Sequence, residues 1–121
     1  MQPVERFRPE TEVPIEEGCH IVELHNSDAD EACSIARARL GPGKTTRLHC
    51  LDATVERYVI LEGTGEVRVD SATPQSVAAL DVVNIPAGVS QCISNTGQVD
   101  LVFLCICTPR FVTANYRDLE E

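Results

Sequence analysis

Three polar residues have types and a spacing that could do chemistry: His49, Glu56 and Gln91. Imidazole and carboxylate are good ligands for divalent zinc, manganese, iron or nickel, whereas a glutamine carbonyl oxygen is neutral and weaker. His49 and Glu56 flank the short polar stretch Asp52-Ala53-Thr54, so a single hairpin carries both. Gln91 opens a third run, ending at Asn95, immediately after the turn Pro86-Ala87-Gly88. Alternate side chains of a strand share a face. Residues 49 and 51, residues 56, 58 and 60, and residues 91, 93 and 95 can therefore look into one interior. Leu51 and Tyr58 would give that interior an apolar wall with one phenolic handle, the makeup of a small-molecule site. Tyr58 serves equally as a core aromatic whose hydroxyl reaches a backbone group.

The elements that must hold these residues are strands. From residue 19 onward, short runs rich in Val, Ile and Thr are separated by Gly, Pro, Asn and Asp, and no helix of ordinary length is legible. The runs predict strands over 20–24, 33–40, 45–50, 55–61, 65–69, 76–79, 81–85, 91–95 and 101–108. Gly41-Pro42-Gly43, Glu62-Gly63-Thr64-Gly65, Pro86-Ala87-Gly88 and Asn95-Thr96-Gly97 punctuate them with residues that fix or free φ. Many short strands at regular spacing imply a sandwich or a closed barrel. Residues 1–18, rich in proline and charge, read as an N-terminal arm, 19–108 as the barrel, and 109–121 as a tail that packs over the domain or across to a partner through Phe111 and Tyr116.

Composition bounds the functions. The 121 residues suit one domain, and 43% hydrophobic against 24% charged side chains is enough to bury a core. A net charge of -9 with no basic run argues against nucleic acid and anionic membrane as partners, since both need clustered Lys and Arg. The opening stretch lacks an apolar segment, so neither an export signal nor a membrane span is expected and a cytoplasmic location is the default. In that reducing compartment the six cysteines read as free thiols. Cys105 and Cys107, two apart on one strand and badly placed to bridge, read as small apolar filler. Cys50 and Cys92 follow site positions by one residue, which turns them away. His20 and His25 match no compact zinc spacing.

The stretch Gly43-KTTRL-His49-Cys-Leu51-DATV-Glu56-RYVILE-Gly63 and the stretch Leu80-DVVNI-Pro86-Ala-Gly88-VS-Gln91-CIS-Asn95 resemble, in register, the two sequence motifs of the cupin superfamily. The resemblance implies an all-β fold, a single-domain cupin jelly-roll β-barrel, and homodimers are common among such proteins. It also implies a metal site of three histidines and one glutamate, of which this chain keeps only His49 and Glu56. Leu51 and Gln91 stand where the other two histidines would be, and Leu80 replaces the opening glycine of the second motif.

Two readings of the site follow. In one, His49, Glu56 and Gln91 hold a divalent ion whose shell water or a chelating ligand completes, and the ion acts as Lewis acid in isomerase or lyase chemistry. In the other, the three residues hydrogen-bond one another or an organic ligand, giving a metal-free binding or sensor barrel. Glu56 must then be answered by a proton, His49, Arg57 or the ligand, because a buried unpaired carboxylate costs several kcal/mol, roughly. A third reading is a structural interaction protein that uses its outer sheet or its arm, the cavity being vestigial.

Overall fold

The computed structural model describes residues 3–120. Eleven strands form two antiparallel sheets. The first sheet runs β1 (Val13–Pro14), β2 (His20–His25), β3 (Ser34–Leu40), β10 (Leu101–Thr108), β5 (Val55–Glu62), β8 (Val82–Ile85) in spatial order. The second runs β11 (Tyr116–Asp118), β4 (His49–Leu51), β9 (Gln91–Asn95), β6 (Gly65–Val69), β7 (Gln75–Val77). Two single turns of 3-10 helix, Pro9–Thr11 and Thr113–Asn115, are the only helical residues among those described. No described helix is long and apolar enough to cross a membrane.

Alternation along the strands sets what faces inward. In β5 the buried residues are Glu56, Tyr58 and Ile60, and in β9 they are Gln91, Ile93 and Asn95. The central strand β10 pairs with β3 on one side and β5 on the other, and its Phe103 is completely buried. The Phe103 ring tilts at 52° against Tyr58, with centroids 4.7 Å apart, within the range of favourable aromatic pairs. Leu40, Ile85, Ile93 and Leu101 complete the packing around this pair.

Strand β4 is shorter than the run 45–50 suggests, and the reason is local. Thr46 hydrogen-bonds Ile93 through its backbone N–H, and its hydroxyl accepts from the Ile93 N–H at 2.9 Å. A side chain thus takes the place of a backbone carbonyl, and only an isolated bridge, Thr45 to Ser94, precedes His49.

Both ends of the chain join the sheets. Val13 and Pro14 pair with Ile21 and His20, and the Glu12 carboxylate accepts from Arg39 and Arg37 at 2.6–3.1 Å. Glu5 and Asp30 grip the two ring nitrogens of His25, each at 2.7 Å. The tail brings Tyr116, Arg117 and Asp118 alongside Leu51, Cys50 and His49. These attachments matter to the site, because each end delivers a side chain to it.

Leu80 stands where the second motif expects glycine, and it keeps the glycine-like backbone, with φ +72°, while 78% exposed. A side chain in this left-handed region costs about 1–2 kcal/mol, and an exposed one recovers little by packing. Leu80→Gly should raise stability by up to about 1 kcal/mol, the gain being trimmed by the greater freedom of an unfolded glycine. An unchanged or lower midpoint in urea would show that Leu80 packs more than its exposure implies.

Candidate functional site

His49 and Gln91 face each other as Cα partners across β4 and β9, and Glu56 projects from β5 of the opposite sheet. Gln91 is completely buried, and both ends of its amide are hydrogen-bonded. Its Nε2 donates to Glu56 Oε1 at 2.9 Å, and its Oε1 accepts a short hydrogen bond from the Tyr58 hydroxyl. Glu56 Oε2 also accepts from the Cys107 thiol at 3.7 Å. Arg57 turns the other way and donates to Thr108, so it does not answer the Glu56 charge.

His49 Nδ1 lies 2.6 Å from the Arg47 carbonyl oxygen, an acceptor, so this nitrogen carries the proton and Nε2 keeps its lone pair. That Nε2 lies 3.5 Å from Glu17 Oε1, a carboxylate from the arm. The imidazole stacks on Tyr116 from the tail, 5.3 Å between centroids and 22° between planes. Burial lowers the His49 pKa and favours the neutral ring.

The two carboxyls behave in the opposite sense. Burial, and then the Glu17 charge, push Glu56 up to about 7, against the Gln91 hydrogen bond that pulls it down. Burial likewise lifts Glu17 to about 7, and the Cys19 thiol beside it opposes this only in part. Burial pushes the Tyr58 hydroxyl and the Cys107 thiol well up, so both stay protonated at neutral pH.

A cavity of about 220 Å³ opens beside Glu56. Glu17, Glu23 and Tyr116 share its wall with the apolar side chains Ile15, Ile21 and Phe111, and the sulfur-bearing face is made by Cys105 and Cys107. Of the residues singled out in the sequence, Glu56 lies on this wall. His49 reaches the site through Glu17. Gln91 and Tyr58 form the buried layer behind Glu56, and Leu51 is buried on β4 as the cross-strand partner of Tyr116. Glu17, Tyr116 and Cys107 were not legible as site residues. An acidic residue in a polar arm and a tyrosine in a polar tail carry no local signal of where the chain ends will dock, and a cysteine within an apolar strand looks like filler.

The cupin motifs would put these residues at metal-ligand positions, but their geometry here does not fit an ion. An ion between His49 and Glu56 would need the Gln91 oxygen, which faces Tyr58, while the amide hydrogens face Glu56. Among the described residues no three His, Cys, Asp or Glu side chains converge as a set able to hold a metal ion.

The two motif segments cross between the sheets at β4–β5 and β8–β9, so His49 and Glu56 stand on opposite sheets instead of on the one hairpin their spacing suggests. Two antiparallel sheets, these crossing segments and a polar cluster at the inner face define a cupin. The cupin domain model matches residues 36–107, and the chain belongs to that family. Among curated proteins it is similar to the oxalate-binding protein of Thermotoga maritima, 37% identical over 83 residues. That match covers 69% of this chain and 64% of the relative, so the chain spans less than two thirds of the relative's length. A crystal structure described as a predicted oxalate decarboxylase from Thermotoga maritima superposes with a TM-score of 0.74 at 27% identity, covering 86% of this chain and 98% of that one. Pac13 from Streptomyces, described as a unique nucleoside dehydratase, shares the fold with a TM-score of 0.77 at 13% identity, over 95% of this chain and 90% of that one.

Proposed function

We propose that this cupin binds a small organic molecule in the cavity beside Glu56 and does so without a metal ion. The observation that carries the reading is the Gln91 amide, held on one side by Tyr58 and on the other by Glu56. A buried hydrogen-bonded layer of this kind answers the Glu56 carboxyl without a cation. The cavity is mainly apolar with a few converging polar groups, the usual character of a small-molecule site. Oxalate, named for the Thermotoga relative, is not the ligand proposed here. A dianion entering this cavity would meet Glu17, Glu23 and Glu56 and no basic side chain.

The test is elemental analysis of tag-free protein, dialysed against a mild chelator and then offered manganese, iron, nickel and zinc in turn. Retained metal should fall well short of one equivalent, and His49→Ala should not change it. Near-stoichiometric metal that disappears in His49→Ala would overturn the metal-free reading and restore the ligand set His49, Glu56 and Gln91.

A second reading is favoured by the two carboxyls held near 7 beside a neutral imidazole. Groups that titrate close to neutral pH serve well as general acid or base, so the cavity suits proton transfer of the isomerase or lyase kind. Glu56 on the cavity wall is then the residue that gives or takes the proton, with Gln91 fixing its orientation.

A further inference from the structure

We infer that the cavity selects an organic ammonium ion, an alkyl or aryl amine in its protonated form, over anions and over neutral molecules of the same shape. The inference rests on the ligand-binding reading above and names the chemical class of the occupant. Its first support is charge: Glu16, Glu17, Glu23 and Glu56 all line the cavity, and no Lys, Arg or His does. Its second is the pair of aromatic rings on the wall, Phe111 and Tyr116, whose faces attract a cation, most strongly where water is excluded.

Its third is independent of both. The Tyr116 hydroxyl oxygen is shut off from solvent, and among the described residues it has no hydrogen-bond partner. A buried hydroxyl left unpaired costs about 1–3 kcal/mol, and an ammonium N–H supplies a donor to its lone pairs. The same N–H fork can reach the carboxyl oxygens of Glu17 and Glu56, while Ile15, Ile21 and Ala36 give the hydrocarbon body an apolar bed. An ammonium therefore finds acceptors in the glutamate carboxyls and the Tyr116 oxygen, whereas a carboxylate is repelled by whichever of those glutamates are ionised and a neutral alcohol leaves their charge unused.

Isothermal calorimetry at neutral pH on the full chain tests this with three probes: benzylamine, benzyl alcohol as its neutral isostere, and oxalate. Benzylamine should bind at least about tenfold more tightly than benzyl alcohol, and oxalate should not bind. In the double variant Glu17→Gln, Glu56→Gln the preference for the amine should vanish while benzyl alcohol still binds, which also shows that the variant is folded. Equal binding of amine and alcohol to the natural chain overturns the ammonium inference and leaves the cavity reading standing. Binding of neither overturns the inference as well. Binding of oxalate alone, and only with manganese present, overturns both.

Discussion

Replacing Gly63 by alanine should destabilise the protein by about 3 kcal/mol or more. Two costs coincide at this position. Its φ of +85° lies in the left-handed region, and a Cβ there would sit 2.7 Å from the Asp100 carbonyl oxygen and 3.0 Å from Leu101 Cα. Both neighbours are backbone and cannot swing aside, so β5 and β10 must part at the end of the sheet where Val102 already shifts register against Glu62. Gly43 supplies the control. It has a φ of +75° and nothing within 4 Å of its would-be Cβ, so Gly43→Ala pays the conformational cost alone, about 1–2 kcal/mol. Urea unfolding of the two variants measures the difference. Equal midpoints would show that the β5–β6 connection yields, and the close approach to Asp100 would then carry no energy.

Raising the pH from about 4.5 to just above 7 should weaken the natural chain relative to Glu56→Gln by about 3 kcal/mol. A carboxyl that ordinarily titrates at 4.5 but is held up to about 7 in the folded protein binds its proton more tightly when folded. The stability this contributes is complete below about pH 4.5 and is lost as pH rises through about 7. Glutamine imitates the protonated acid at all pH values. It still accepts from Gln91, so the two proteins should melt alike below about pH 4.5, diverge between about 4.5 and 7, and keep a constant gap above that. Glu17 follows the same course for the same reason, burial, and the two carboxyls ionise as a coupled pair rather than independently. Thermal melts of both proteins at several pH values read the gap directly. A gap that stays constant with pH would mean that folding leaves the Glu56 carboxyl at its ordinary pKa.

Most of the sheet structure was legible in the sequence because side-chain alternation and glycine turns are local signals. Strands β6, β9 and β10 begin and end where the runs 65–69, 91–95 and 101–108 predict. Strand β4 departs from prediction because a Thr46 hydroxyl replaced a backbone partner, a substitution no hydropathy pattern reveals. The inward set Glu56, Tyr58 and Gln91 followed from period-2 parity. What they bond to did not, because motif position says that three residues converge and not which amide edge faces which neighbour. The cavity wall was least legible. Glu17 comes to it through the bond its carbonyl accepts from the Arg47 N–H, and Tyr116 through pairing with Leu51, contacts between residues far apart in the chain.

The place of β10 also governs how the molecule can assemble in time. It lies between β3 and β5, so neither half of the first sheet has its inner neighbour until Leu101–Thr108 has arrived. Every pairing it makes closes a long loop, with Leu101 reaching back to Leu40 and Thr108 to Val55. Loop closure must be met before those contacts reward it, and topologies of this sort fold slowly, on the order of milliseconds to seconds. Early hairpins such as β2–β3 and β6–β7 would remain only partly covered, and the Glu56 layer would be completed only when β10 brings Cys107 to it.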